Sequence, residues 1–169
     1  RIKRALKKKS FSIKKLNVEK FLLTNLNINN TPDALITKRS LDTVAPLGVT
    51  DDGLGLEYFI PAKDMVREHD IPTSHSAGFI SIVIGATYET KKLPVHKLQE
   101  LCKKIDHPIM LLGGLEDSVN AEMIASVDPV KIYNACGKFN LNESADLLRQ
   151  SKLVVSHDTG LMHIAAALQ

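Results

Sequence analysis

Residues 153–168 read Leu-Val-Val-Ser-His-Asp-Thr-Gly-Leu-Met-His-Ile-Ala-Ala-Ala-Leu, which predicts a buried strand, a short turn and a helix. The turn is Asp158, Thr159 and Gly160, and an alanine-rich helix begins directly after it. The first N–H groups of a helix have no partner inside it and carry a partial positive charge. Because Gly160 has no side chain, an anion can approach these donors closely, and His163 lies one turn further along. The stretch therefore predicts a phosphate site in an α/β protein.

Strands and helices alternate along the chain from residue 79 onward. Strands are predicted at 79–84, 109–112, 131–133 and 153–155, and helices at 94–105, 119–127 and 143–150. Asn142 is the predicted cap of the last of these helices. The strands are apolar on both faces, which is typical of a parallel sheet with helices on both sides. The predicted fold class is therefore α/β and Rossmann-like.

The composition bounds the protein class. The chain has 169 residues, of which 44% are hydrophobic and 24% charged, enough for one core and part of a second. No apolar run reaches the roughly 18 to 20 residues of a membrane-spanning helix. Cys102 and Cys136 are far apart and form no CxxC pair, so we expect reduced cysteines and a cytoplasmic location. Cys102 shares a helical face with Leu98 and Leu101 and is predicted to lie in the core.

The basic residues are concentrated at the start of the chain. Residues 1–20 contain nine Lys and Arg and the single acid Glu19. Such a segment can be a solvated helical surface, or it can contact anionic lipid at the inner face of the membrane. No aromatic interleaving or recognised motif supports a nucleic-acid partner.

The loops after the predicted strands carry polar residues suited to a nucleotide. Ligands of a parallel sheet bind beyond the carboxyl ends of its strands. Thr87 and Lys91 follow the first strand, Glu116 the second, and Asp158 the fourth. Three other readings are disfavoured. Aspartic proteases also contain Asp-Thr-Gly, but they are all-β proteins with two such loops. His157 and His163 lack a third metal ligand at a known spacing, and no GxGxxG dinucleotide fingerprint is present. The sequence offers no partner for five histidines, which are therefore expected to face solvent: His69, His75, His96, His107 and His157.

Four motifs occur in order along the same part of the chain. They are Lys91-Lys92-Leu93-Pro94, Gly113-Gly114-Leu115-Glu116-Asp117, Asn134-Ala135-Cys136-Gly137-Lys138 and Asp158-Thr159-Gly160-Leu161-Met162-His163-Ile164-Ala165-Ala166-Ala167. In this order and spacing they resemble glycosyltransferase family 9, the lipopolysaccharide heptosyltransferases and their relatives. The resemblance implies a GT-B fold, with two Rossmann-like domains facing a cleft. Residues 1–75 would be the end of the acceptor domain with the linker, and residues 76–169 a nucleotide-sugar-binding domain incomplete at its C-terminus.

The resemblance also implies a role for each candidate residue. Thr159 and Gly160 match the phosphate-binding turn, and Lys91 matches a phosphate-binding lysine. Glu116 fits an acid that hydrogen-bonds the ribose, and Thr87 would add a hydroxyl donor. Asp158 and His163 would border the donor sugar and phosphate.

The implied reaction is metal-independent, inverting transfer of a heptose-like sugar from a nucleoside diphosphate, expected to be ADP, to a lipid-linked glycan such as lipopolysaccharide. No cofactor or metal is expected. The family's catalytic base is an aspartate near the start of the N-terminal domain, expected before Arg1. We therefore expect a fragment that is inactive alone. Two alternatives stay open: a non-catalytic nucleotide-sugar-binding or scaffold protein, and a module that binds anions or a membrane surface through residues 1–20.

Overall fold

The computed structural model describes residues 9–13 and 15–168. Most of the basic start of the chain, residues 1–8 and residue 14, lies outside the described residues. The chain divides into two compact units between Gly55 and Leu56. The boundary between an acceptor domain and a nucleotide-sugar-binding domain at residues 75 and 76 stays a prediction. In the described part of the chain, no helix is long and apolar enough to cross a membrane.

The first unit contains two short helices, α1 (Asn17–Leu26) and α2 (Ile36–Leu41), and a 3-10 turn at Ala45–Leu47. None of its described residues is buried. Large apolar side chains such as Phe21 stay more than half exposed. The described residues of this unit therefore form no core of their own.

The second unit is built on a four-stranded parallel sheet. Its strands are β1 (Ile80–Val83), β2 (Ile109–Leu112), β3 (Ile132–Asn134) and β4 (Leu153–Ser156). They lie in the order β3-β2-β1-β4, and Ile80 is paired with Ile109 on one side and Leu153 on the other. The predicted parallel sheet is confirmed, and no strand end differs by more than one residue from the predicted one.

Helices cover both faces of this sheet, as the apolar strands predicted. On one face, α3 (Val95–Lys104) and α4 (Ser118–Ala125) enclose a core that includes Ile82, Leu111 and the fully buried Cys102. On the other face, α5 (Leu141–Gln150) and α6 (Gly160–Leu168) pack on a core that includes Val83 and Met110. Neighbouring strand residues thus enter opposite cores, because side chains alternate across a strand.

The segment before the sheet is attached to the second unit at two places, although its Pro, Ser and Gly residues predict a linker at 71–78. The buried carboxylate of Asp146 accepts a hydrogen bond from the N–H of Val66 at 2.9 Å. Residues Thr73–His75 form a 3-10 turn, and the His75 ring is buried with Nε2 2.9 Å from the carbonyl oxygen of Ile109. The solvent-facing position expected for this histidine is wrong, because a main-chain carbonyl 34 residues away provides its partner.

The cap of α5 also differs from the prediction. Asn140, and not Asn142, is the N-cap, and its side-chain oxygen accepts from the N–H groups of Asn142 and Glu143. Asn142 instead donates to the carboxylate of Asp64 at 2.8 Å and accepts from the hydroxyl of Tyr58. The helix therefore begins two residues earlier than predicted. Asn142 lies in its first turn, where its side chain is hydrogen-bonded to Asp64 and Tyr58.

The strand order places a crevice at one edge of the sheet. The chain runs outward from β1 to β2 and β3, and then crosses to the other side of β1 to form β4. Loops that leave β1 and β4 therefore diverge at the carboxyl edge, which is where ligands bind in open α/β sheets.

Candidate functional site

A cleft of about 380 Å³ lies at this carboxyl edge. We call it the edge cleft. Four of the predicted site residues line it: Thr87 after β1, Glu116 after β2, and Thr159 and Gly160 after β4. The structure thus brings together residues that are up to 73 positions apart in the sequence. Their part in binding a ligand stays a prediction.

The edge cleft has an apolar wall that the sequence analysis missed. Phe139, Leu141 and Leu161 line it together with the polar residues. Leu141 is 60% exposed, although it begins a helix whose other leucines are buried. In the sequence, the signal for this surface was the pair of apolar residues Phe139 and Leu141 between the third strand and the following helix.

Lys91 and Asp158 form an ion pair beside the edge cleft. The Lys91 ammonium donates to Asp158 Oδ2 at 2.5 Å, and the two side chains are 40% and 61% exposed. This hydrogen bond and the charge of Lys91 lower the pKa of the Asp158 carboxyl, and the charge of His163 adds to the effect. Asp158 is next to Thr159, which lines the cleft, so the Lys91 ammonium lies close to the start of α6. An exposed pair of this kind contributes little to stability and is easily exchanged for another anion.

His163 lies on the first turn of α6 and is exposed. It is not part of the lining of the edge cleft, but its charge reaches the carboxylate of Asp158. The structure therefore places this predicted residue at the border of the cleft.

A largely buried ion pair, which the sequence did not reveal, lies beside the edge cleft, and its acidic member, Asp117, lines the cleft. Lys92 donates to Asp117 Oδ1 at 3.1 Å, with side chains only 17% and 4% exposed. Hydrogen bonds from Lys92 to Glu89 and Asp117 raise the pKa of the Lys92 ammonium. A Cβ on Gly85 would lie 2.4 Å from Asp117 Oδ2, so that glycine is needed for the close approach of the carboxylate. Asp117 therefore ties the loop after β1 to the loop after β2.

His157 is engaged by two loops, although we expected it to face solvent. Its Nε2 lies 2.9 Å from the N–H of Leu93, and its Nδ1 lies 3.1 Å from the carbonyl oxygen of Ile84. The solvent-facing prediction is wrong, because the turn at Asp158 brings this ring against both ends of the loop after β1.

Cys136 follows β3 and is buried in the core, with 2% of its surface exposed. Burial raises the pKa of its thiol to about 12, and the Asp117 and Glu116 carboxylates act in the same direction. A thiol in this state is a poor nucleophile at neutral pH.

We expect Cys136 to resist alkylation at pH 8 in the folded protein and to react at once in denaturant. Its folded pKa lies above its unfolded value, so its contribution to stability is present below about pH 9 and is lost as the pH rises toward 12. Mass spectrometry after iodoacetamide treatment measures the reaction. Modification of Cys136 at the rate of a small-molecule thiol, without unfolding, would contradict this assignment.

Within residues 9–13 and 15–168, no group of three or more His, Cys, Asp or Glu side chains is arranged to hold a metal ion. The positive charge beside the edge cleft is carried by the side chains of Lys91 and Lys92 and by the N-terminus of α6.

A sequence model described as glycosyltransferase family 9 (heptosyltransferase) matches residues 22–169. Among curated relatives, lipooligosaccharide heptosyltransferase 2 of Haemophilus influenzae is 38% identical over 76 residues, 43% of this chain and 22% of that protein. Lipopolysaccharide heptosyltransferase 2 of Salmonella typhimurium is 28% identical over 107 residues, 59% of this chain and 31% of that protein. The chain thus spans less than a third of the length of these relatives in the matched regions.

Solved structures are similar as well. A glycosyl transferase family 9 protein of Veillonella parvula matches with a TM-score of 0.67 at 20% identity, over 88% of this chain and 46% of that chain. E. coli heptosyltransferase WaaC with ADP-2-deoxy-2-fluoro heptose matches with a TM-score of 0.60 at 23% identity, over 83% and 44% of the two chains. These similarities show a shared fold.

Proposed function

Because the chain belongs to glycosyltransferase family 9, we propose that residues 56–169 bind the nucleoside diphosphate of a sugar donor in the edge cleft. The proposed reaction is inverting transfer of a heptose-like sugar from ADP to lipopolysaccharide or a related lipid-linked glycan. The observation that carries the proposal is the convergence of Thr87, Thr159 and Gly160 on one cleft, with Lys91 at its border.

The chemistry of the leaving group fits these residues. Glycosyl transfer releases a diphosphate whose negative charge increases in the transition state, so donors fixed at that position accelerate the reaction. The N–H groups at the start of α6 and the hydroxyl of Thr87 can donate to phosphate oxygens. The Lys91 ammonium would leave Asp158 and bind the diphosphate, which carries more charge than one carboxylate. We assign charge neutralisation to these groups and propose no metal or other cofactor.

The nucleoside fits the remaining lining of the edge cleft. Glu116 carries a carboxylate that can accept from the ribose hydroxyls. Phe139, Leu141 and Leu161 offer the apolar surface on which a base can pack. The structure of an E. coli ADP-heptose lipopolysaccharide heptosyltransferase II, which is 27% identical to this chain over 54% of its length and 30% of that chain, with a TM-score of 0.51, supports adenine as the base to test first. We assign no catalytic base to this chain, and we place the reaction at the cytoplasmic face of the inner membrane.

Calorimetric titration with ADP, UDP and GDP tests the proposal. We expect ADP to bind with a dissociation constant below 1 mM, corresponding to more than about 4 kcal/mol. Repeating the titration in EDTA tests whether binding requires a metal ion, and we expect the affinity for ADP to stay unchanged. If none of the three nucleotides binds better than millimolar, the edge cleft is not a nucleotide site.

Gly160→Ala should weaken ADP binding by about tenfold, or about 1.4 kcal/mol, while leaving the folded state intact. A Cβ built at Gly160 has no heavy atom within 4 Å, so the protein itself accommodates the methyl group. The bound phosphate would meet it, because an anion approaches a helix start closely only where side chains are absent. Calorimetry gives the affinity and thermal unfolding gives the stability.

Gly137→Ala is the matched control, since it should lower the stability of the folded protein, which Gly160→Ala leaves intact. Gly137 has φ +74°, and a Cβ there would lie 2.8 Å from the Cα of Leu115. We expect a lower melting temperature for this variant. If Gly160→Ala lowered stability and left the affinity for ADP unchanged, the phosphate would not lie at the start of α6.

A further inference from the structure

His157 connects the two loops that form the proposed phosphate site. It immediately precedes Asp158, and its ring contacts both ends of the loop after β1. Ile84 comes directly after that strand, and Leu93 lies two residues after Lys91. Lys91 therefore lies on a loop whose far end is fixed by this imidazole.

The partners of the ring define its protonation state. A main-chain N–H can only donate, so Nε2 must accept from Leu93 and cannot carry a proton. The carbonyl oxygen of Ile84 can only accept, so Nδ1 must carry the proton. The connection thus exists only for the neutral imidazole with its proton on Nδ1.

We propose that His157 is a positioning residue for the diphosphate site: its neutral ring holds Leu93, and through it Lys91, against the turn at Asp158. This inference rests on the proposed function. Side chains of the loop also form ion pairs, of Lys92 with Asp117 and of Lys91 with Asp158. The diphosphate would replace the second of these, so among the residues that the structure describes, the His157 ring would then provide the side-chain hydrogen bonds that still join the Lys91 loop to this turn.

Protonation of His157 would break the connection, because an Nε2–H would then face the N–H of Leu93. The charged and titratable groups on the joined segments are Tyr88, Glu89, Lys91, Lys92, Asp158 and His163, and Asp117 meets Lys92 from the loop after β2. Protonation of His163, near Asp158, would favour anion binding at low pH and oppose the effect of His157. The pH experiment therefore uses a protein that carries His163→Gln.

The first measurement is the affinity for ADP-ribose at pH 8. This probe contains a diphosphate diester that does not titrate near neutral pH. We expect His157→Ala to bind it about 5-fold to 30-fold more weakly, the ratio for one to two kcal/mol. His157→Gln should keep most of the affinity, because its amide oxygen can accept from Leu93. His96→Ala removes an exposed imidazole on α3 and should bind as the unmodified protein does.

The second measurement is the pH dependence between pH 8 and pH 5 in the His163→Gln protein. We expect its affinity for ADP-ribose to fall as the pH is lowered. In the double variant His163→Gln and His157→Gln, the affinity for ADP-ribose should be independent of pH. If His157 had a merely structural role, this change would not remove the pH dependence. An equal fall in both proteins, or full affinity in a folded His157→Ala protein, would overturn the inference.

The tautomer provides a readout without ligand. Nitrogen-15 shifts of the His157 ring should show the proton on Nδ1 in the unliganded protein at pH 8, and the other tautomer would overturn the inference. If the unmodified protein has this tautomer and yet does not bind ADP-ribose, the proposed function fails. The hydrogen bonds by which the His157 ring connects the two loops would still be supported.

Discussion

Lys91→Ala should weaken ADP binding by about 10-fold to 150-fold, or roughly 1.5 to 3 kcal/mol, the scale of a charge-assisted hydrogen bond. The Lys91 side chain is 40% exposed and its partner Asp158 is 61% exposed, so the pair can open without leaving a buried charge. Removing the ammonium also leaves the Asp158 carboxylate beside the diphosphate, which adds repulsion. Calorimetric titration with ADP measures the loss.

Lys97→Ala is the control, since Lys97 is an exposed lysine in a surface ion pair with Glu100 on α3. We expect its affinity for ADP to match that of the unmodified protein. In the unliganded Lys91→Ala variant, the pKa of Asp158 should rise toward the ordinary aspartate value, because its lowering comes first from the hydrogen bond with Lys91. Unchanged ADP affinity in a folded Lys91→Ala protein would remove this residue from the site.

Asp146→Ala should destabilise the protein by about 3 kcal/mol, the upper end of the cost of leaving buried hydrogen-bond donors without their acceptor. The Asp146 carboxylate is completely buried and accepts four hydrogen bonds, from Val66, Gln150 and the two nitrogens Nε and Nη2 of Arg149. Alanine would leave the Val66 N–H without an acceptor and weaken the attachment of the segment before the sheet to α5. For a chain of this length we expect the melting temperature to fall by roughly 6 to 12 °C.

Glu100→Ala provides the comparison for Asp146→Ala. It also removes a carboxylate from an i,i+3 ion pair, but that pair is more than half exposed. Its loss should change the stability by less than about 0.5 kcal/mol. Equal melting temperatures for the two variants would show that the buried carboxylate has no special part in attaching residues 62–67 to α5.

The sequence by itself determined the sheet and the position of the candidate site. Apolar runs of strand length, separated by helical patterns, are local signals, so the four parallel strands and the helices on both faces could be predicted. The carboxyl edge followed from the same pattern, because parallel strands end at one edge and their loops meet there. Thr87, Glu116, Thr159 and Gly160 were therefore predicted together and line one cleft.

Only the tertiary structure decided how the polar side chains are engaged and where the segment before the sheet belongs. Asp117, Asp146 and His157 look like ordinary surface residues in the sequence, and residues 71–78 look like a linker. The partners that connect these three side chains to other segments, Lys92, Val66 and Leu93, lie between 25 and 80 residues away, and no local periodicity encodes such distances. A buried polar group is stable only when a partner from elsewhere in the chain satisfies it. Its role therefore becomes defined when the chain has folded.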